Sequence, residues 1–157
     1  MICDECQALY EEVGDRAREA DVFGKVRRTD DALLCRVPAI ESNTQYRATV
    51  SEEHDIVWVG LYTPDRWLSE SIEADLLHTG DKIEELLEDE LIDRAFEGRL
   101  PVEHFRDDDK QYVFRSPVFL PKGVKLDSAE MVRRVAAVLL AYEAAFRQLG
   151  DLKPEEA

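Results

Sequence analysis

Residues 44–63 read TQYRATVSEEHDIVWVGLYT, and this stretch decides the class of the fold. Residues 44–52 alternate between apolar and polar side chains, a pattern typical of an antiparallel strand with one face on a core. Residues 55–63 carry apolar side chains on both faces, and such a strand lies in the middle of a sheet or at an interface. The short connection between the two runs predicts a hairpin.

Further strands are expected before and after this hairpin. Residues 32–40 form an apolar run after a turn signal, and residues 22–28 are a weaker candidate. Residues 100–106 and 111–119 predict a second hairpin across an acidic turn. Pro117 has no amide hydrogen to donate to a ladder, so we expect its strand to be an edge strand or to lose its pairing there.

Apolar residues at helical spacing predict four helices. They cover residues 4–20, 66–79 and 82–97 and the stretch between Asp127 and Gly150. Asp81 is expected to cap the third helix and Gly98 to end it, while Asp127 and Glu130 form a capping box at the fourth. This order of elements predicts one α+β domain over residues 1–157 with a mostly antiparallel sheet.

The chain is strongly acidic. It has 35 acidic and 20 basic residues, which gives a net charge of −15. Such a field repels nucleic-acid phosphates and anionic lipids, so we expect neither a nucleic acid nor a membrane as a partner. The basic residues comprise 14 arginines and only 6 lysines. Acidity with few lysines fits adaptation to concentrated salt, and it fits ordinary solubility equally well.

Two further features bear on location. The longest apolar run, residues 135–142, has eight residues, whereas a membrane-spanning helix needs about 20. The first residues show neither the basic start nor the apolar stretch of a secretory signal. We therefore expect a cytoplasmic protein, and the odd number of cysteines, three, suits a reducing compartment.

The order of elements resembles the type III secretion chaperone-like fold, and within it the YbjN-type proteins. The strand pair FRDDDKQYVFRSP at residues 105–117 and the last helix, with Tyr142 and Phe146, carry the likeness. The resemblance implies a chaperone-like domain without shared catalytic residues. It also implies a homodimer that binds segments of other proteins, as the small acidic secretion chaperones do.

The candidate chemical groups do not assemble into a recognisable site in the sequence. Cys3 and Cys6 have CxxC spacing, but no second pair and no preceding strand accompany them, so we expect both to be dispensable. The histidines are scattered and lack the context of a nucleophile: His54, His78 and His104. The acidic run 107–109 lacks the glycine and glutamate of a calcium loop and is expected to be a solvated turn. We therefore expect no catalytic residue, no metal and no cofactor.

The surplus of apolar and aromatic residues is the remaining functional signal. Either helices cover both sides of the sheet over a single core, or one face is a partner surface. The second interpretation predicts an interface at Val57, Trp58, Val59, Tyr62, Trp67, Val138 and Leu140. We therefore expect a non-catalytic protein-binding module that forms a homodimer and binds a segment of a client protein. The alternatives are a small enzyme with a carboxylate and histidine site, and a regulatory domain without a ligand.

Overall fold

The computed structural model describes residues 3–38 and 40–153 of the chain. The strands are β1 (Val26–Arg28), β2 (Leu33–Arg36), β3 (Gln45–Val50), β4 (Ile56–Thr63), β5 (Glu103–Arg106) and β6 (Tyr112–Phe119). The helices are α1 (Asp4–Ala20), α2 (Arg66–Thr79), α3 (Ile83–Asp93) and α4 (Ala129–Phe146), and a short 3-10 turn follows at Gly150–Leu152. The α+β class and the antiparallel sheet predicted from the sequence are confirmed.

The strands form one open sheet in the order β1-β2-β3-β4-β6-β5, and every neighbouring pair is antiparallel. β6 pairs with β4 along its whole length, with Ile56 opposite Phe119 and Thr63 opposite Tyr112. The strand that contains Pro117 is therefore interior, and the prediction of an edge strand was wrong. The paired part of β5 ends opposite Arg115, so pairing on that side stops before the proline, as the other half of the prediction stated.

One hydrophobic core joins the sheet to the helices, and all four helices contribute to it. Alternate residues of a strand point to opposite faces, and the strand residues of the core share one face of the sheet: Leu33, Cys35, Tyr46, Ala48, Val57, Val59, Leu61, Phe114 and Val118. The helices thus form one layer and the sheet a second. The first of the two interpretations above is therefore right about a single core, but its helices on both sides of the sheet do not occur in the part of the chain that the structure describes.

Helix α3 is the helix whose limits differ most from the prediction. It ends at Asp93, because Ala95 adopts a left-handed backbone with φ 57° and the chain leaves the helical path before Gly98. Its N-cap is Lys82, which makes no side-chain capping bond, so Asp81 does not cap it. Helices α1 and α2, by contrast, match the predicted ranges residue for residue.

Helix α4 begins one residue later than predicted. Ser128 is its N-cap, and the Ser128 hydroxyl accepts a hydrogen bond from the Met131 amide at 3.2 Å, so Asp127 is not the cap. The helix ends at Phe146, and Gly150 starts the 3-10 turn instead of closing the helix. Among the described residues, no helix is both long and apolar enough to cross a membrane.

Candidate functional site

The second face of the sheet carries the strand side chains that the core does not use. Directly opposed residues of antiparallel strands share a face, and the register assigns to this one Arg27, Leu34, Arg36, Gln45, Arg47, Thr49, Ile56, Trp58, Gly60, Tyr62, Glu103, Phe105, Val113, Arg115, Pro117 and Phe119. These residues lie outside the hydrophobic cluster that joins the sheet to the helices in the described chain, although several of them are themselves buried, among them Leu34, Tyr62 and Val113. We call this surface the open face.

Arg115 forms the centre of the open face. Its guanidinium carbon lies 3.8 Å from the centre of the Trp58 ring and 4.8 Å from that of Phe105. Its Nε donates a hydrogen bond to Glu103 Oε2 at 2.9 Å. A cation–π contact at an exposed site contributes about 0.5–1 kcal/mol. The cation–π contacts and the ion pair together hold Arg115 beside two aromatic rings.

Arg47 and Tyr62 repeat the same arrangement one strand away. The Arg47 guanidinium carbon lies 4.6 Å from the centre of the Tyr62 ring, and its Nε donates to Gln45 Oε1 at 3.3 Å. Burial raises the pKa of Tyr62, although Arg115 and Arg47 oppose this shift. The phenol is therefore neutral at physiological pH, so its hydroxyl can both donate and accept a hydrogen bond.

The charge of the open face is opposite to that of the chain. The face has four arginines, at positions 27, 36, 47 and 115, and one acidic residue, Glu103. It therefore carries +3, and the rest of the chain carries −18 of the total of −15. A carboxylate on an approaching partner is attracted to this face and repelled by the remaining surface.

The composition of the open face is that of a protein interface. Interfaces are enriched in aromatic residues and arginine and depleted in lysine and acidic residues, and Trp, Tyr and Arg dominate their binding energy. The open face has all three and no lysine. Phe119 at its rim is 57% exposed. Phe119 therefore exposes aromatic area at the rim of the open face.

The structure divides the predicted interface residues between two environments. Trp58 is partly exposed on the open face, Tyr62 is buried there at 8% exposure, and Trp67 is 75% exposed in the first turn of α2. Leu140 is partly buried on α4. The other three are buried in the core and inaccessible to a partner in the intact fold: Val57, Val59 and Val138.

The sequence pattern missed part of the open face. The apolar period of β4 marked both of its faces, but it contained no sign of which face the helices cover. Arg47, Phe105 and Arg115 were missed because their importance comes from the strand register. The alternation within β3, which places Arg47 on the face opposite Tyr46, was the signal that could have identified the first of them.

A histidine and carboxylate pair lies between β5 and α2. His104 Nε2 contacts Glu73 Oε1, and His104 Nδ1 lies 2.9 Å from the Val113 carbonyl oxygen. Both ring nitrogens therefore face oxygen atoms, and these contacts hold the imidazole between β6 and α2. The groove beside the pair is lined by aliphatic side chains and by three carboxylates, Glu73, Asp81 and Glu84, and its lining among the described residues includes no Ser, Thr, Cys or Lys.

A third grouping was not expected from the sequence. Cys3 is the N-cap of α1, and its sulfur is joined to that of Cys6 as a disulfide. His54, from the turn between β3 and β4, places Nδ1 3.8 Å from Cys3 Sγ. The prediction that the histidines are scattered was therefore wrong for His54, which lies beside the CxxC pair. Cys35 lies apart from them as a free thiol in the core.

The remaining candidates take ordinary structural places. Asp107 accepts hydrogen bonds from the amides of Asp109 and Gln111 at 3.0 and 2.8 Å, so its carboxylate stabilises the turn between β5 and β6. His78 is exposed in the last turn of α2, where a cation interacts favourably with the helix dipole. Neither position adds to the open face.

Neither a protein-family model, nor a curated protein, nor a solved structure matches this chain. The open face, with its stacked arginines and aromatic rings, is therefore the feature from which we infer a function.

Proposed function

We propose that this chain is a non-catalytic protein-binding module whose open face binds a client segment that carries both carboxylates and apolar side chains. The observation that supports this proposal is the charge reversal on the open face. A net +3 is concentrated on a surface with Trp58, Tyr62 and Phe105, within a chain of −15. The resemblance to the type III secretion chaperone-like fold implies the same class of function.

The stacked arginines favour an acidic client. The guanidinium carbons of Arg47 and Arg115 lie over aromatic rings, and among the described residues only Arg115 of the two has a carboxylate partner, Glu103. Because a guanidinium has five donors in a planar fork, both side chains keep donors that can bind client carboxylates. The aromatic rings beside them supply apolar contact area for neighbouring client side chains.

The homodimer expected from the sequence is part of the proposal, through a different surface. A two-fold axis through the open face would set the arginines of one copy against those of the other. The helix layer offers large exposed apolar side chains instead: Trp67 at 75%, Leu77 at 84% and Ile92 at 63% exposure. Sedimentation at micromolar concentration tests this, with twice the monomer mass expected for the wild type and the monomer mass for a Trp67→Ser, Leu77→Ser, Ile92→Ser variant. A wild type that sediments as a monomer would remove the dimer.

Selection from a random peptide library displayed on phage tests the client chemistry. We expect the selected peptides to combine Asp or Glu with apolar residues, and their affinity to fall as salt screens the charges. Arg47→Glu and Trp58→Ala should each weaken a selected peptide by about 30-fold or more, the loss of about 2 kcal/mol typical of a hot spot. Fluorescence anisotropy with the labelled peptide measures both.

Arg16→Glu is the matched control, since it makes the same charge change at an exposed position of α1 outside the open face. It should leave the affinity within about two-fold, as expected of a surface substitution away from the contact. A single-stranded oligonucleotide is the competitor that tests nucleic acid. The proposal fails if Arg47→Glu binds the peptides as well as Arg16→Glu, or if the oligonucleotide binds the open face and the peptides do not.

A further inference from the structure

The N-terminus of α1 and the turn between β3 and β4 bring three metal-ligating side chains together. The ligating atoms of Cys3, Cys6 and His54 all lie within 4.8 Å of one another. The Cys6 amide donates a hydrogen bond to Cys3 Sγ at 3.2 Å, so the first sulfur is held at the start of the helix. This grouping lies outside the open face, and its chemistry is independent of the proposed function.

The donor set matches the requirements of zinc. Zn²⁺ binds thiolate sulfur at about 2.3 Å and imidazole nitrogen at about 2.0–2.1 Å in a tetrahedron. These bonds place a sulfur and a nitrogen about 3.6 Å apart across the metal, close to the 3.8 Å between Cys3 Sγ and His54 Nδ1. The CxxC spacing is also the spacing that supplies two ligands from one short segment in many zinc sites.

We propose that, with the two cysteines reduced, Cys3, Cys6 and His54 bind one Zn²⁺ and leave one coordination position open. Water, or a donor atom of a bound molecule, completes the tetrahedron. The disulfide in the structure has no thiolate to offer a metal, so binding requires its reduction. In the bound form, the metal would link the start of α1 to the turn between β3 and β4.

The surroundings of the three ligands favour a cation. Asp4 and Glu5 lie in the first turn of α1, and Glu53 and Asp55 flank His54 in the chain. All four are exposed and contribute negative potential around the ligands.

The position of His54 allows a clean substitution. His54 has a left-handed backbone with φ 60°, a conformation that strains most residues but that asparagine adopts readily. His54→Asn therefore removes the imidazole and preserves the turn. Cys35 offers a matched cysteine control, because it lies in the core and burial raises its pKa to about 12.

Cobalt substitution and zinc competition test the site in the full chain. The protein is reduced with a phosphine, freed of metal with a chelator, and titrated with Co²⁺ and then Zn²⁺. We expect one equivalent of Co²⁺ to give a thiolate-to-cobalt charge-transfer band and the visible bands of tetrahedral cobalt, and Zn²⁺ to abolish both. Zinc should also raise the thermal midpoint of the reduced protein, because a ligand that binds only the folded state stabilises it.

Single substitutions decide which residues bind the metal. Cys3→Ser, Cys6→Ser and His54→Asn should each weaken zinc by more than about 100-fold, beyond the 10- to 100-fold loss caused by removing a merely supporting partner. Cys35→Ala and His78→Asn should bind as the wild type does. The site is overturned if the reduced wild type binds no zinc, if either serine variant retains the cobalt bands, or if His54→Asn binds zinc with unchanged affinity and an unchanged cobalt spectrum.

Discussion

At the scale of single residues, Gly60 is the position where the backbone of the sheet leaves least room. It lies on the open face in the middle of β4, directly opposite Arg47 on one side and Arg115 on the other. A Cβ at this position would lie 2.2 Å from the Phe114 carbonyl oxygen and 2.7 Å from Arg115 Cβ. Because the nearest obstacle is backbone, no change of side-chain rotamer relieves the clash, and β4 would have to move away from β6.

We therefore predict that Gly60→Ala lowers the free energy of unfolding by about 2 kcal/mol or more, toward the upper end of the cost of overpacking. Urea unfolding followed by circular dichroism measures the loss. Gly24→Ala is the control, because a Cβ there would meet only ordinary contact at 3.4 Å. Equal stabilities of the two variants would contradict the close approach of β4 and β6.

Glu143 is a second residue whose contribution to stability can be measured, because that contribution depends on pH. It is buried on α4, and burial raises the pKa of its carboxyl, although Arg147, 3.3 Å away, opposes the shift. A raised pKa means that the folded chain holds this proton more tightly than the unfolded chain. The stability that Glu143 contributes is therefore fully present below about pH 4. It is lost as the pH rises through the raised pKa of the folded state.

Glu143→Gln should accordingly be more stable than the wild type at neutral pH, because it removes the buried carboxylate. The difference should shrink as the pH falls and vanish below about pH 4, where the wild-type carboxyl is protonated in both states. Unfolding by urea at a series of pH values gives the difference directly. Glu12→Gln, at an exposed position of α1, is the control and should show no such trend. A difference that grows toward low pH would contradict this assignment.

At the scale of the elements, two adjacent residues are candidates for the N-cap of α4. Asp127 was the expected cap, but the structure gives that role to Ser128, whose hydroxyl accepts from the Met131 amide. Ser128→Ala should cost about 1 kcal/mol, the usual effect of removing an N-cap. Asp127→Ala should cost less, because no capping bond is lost. Thermal unfolding of the two variants side by side measures the difference, and the reverse order would restore the capping box predicted from the sequence.

The sequence predicts an element well where several local signals agree. Helix α2 shows this: Pro64 ends the preceding strand, and Asp65 caps the helix through hydrogen bonds from the amides of Trp67 and Leu68. Gly80 closes it in a left-handed conformation. Helix α3 shows the opposite, because its apolar period continues beyond Asp93 and the left-handed turn at Ala95 has no glycine to announce it.

Arrangements that depend on distant segments were beyond sequence reasoning. Cys3 and His54 are 51 positions apart in the chain and meet because α1 packs across the sheet. The prediction of an edge strand from Pro117 was wrong for a related reason. Its strand, β6, lies inside the sheet but extends beyond the paired part of β5 on one side. The apolar character of both faces of β4 was visible in the sequence, whereas the choice of the covered face followed from how the helices fold back.

At the scale of the whole molecule, the most pronounced feature is the net charge of −15. Its self-repulsion opposes the compact state, and salt shortens the Debye length from about 30 Å at 0.01 M to about 3 Å at 1 M. We predict that the thermal midpoint rises across a sodium chloride series over this range. The same series in potassium chloride controls for effects specific to one cation. A midpoint that is flat or falls would contradict the prediction.

The two edge strands of the sheet limit the ways in which a client of the proposed kind can bind. The outermost strands have only three residues in β1 and four in β5, so few unpaired backbone groups are offered to an added strand. Association of copies by adding strands to the edge of the sheet, which can produce open-ended fibres, is therefore disfavoured. Under the proposed function, a client would be bound by the side chains of the open face, and contacts of this kind do not require one particular backbone conformation of the client. A helix, a loop or an extended segment with the same acidic and apolar groups should therefore bind the proposed surface equally well.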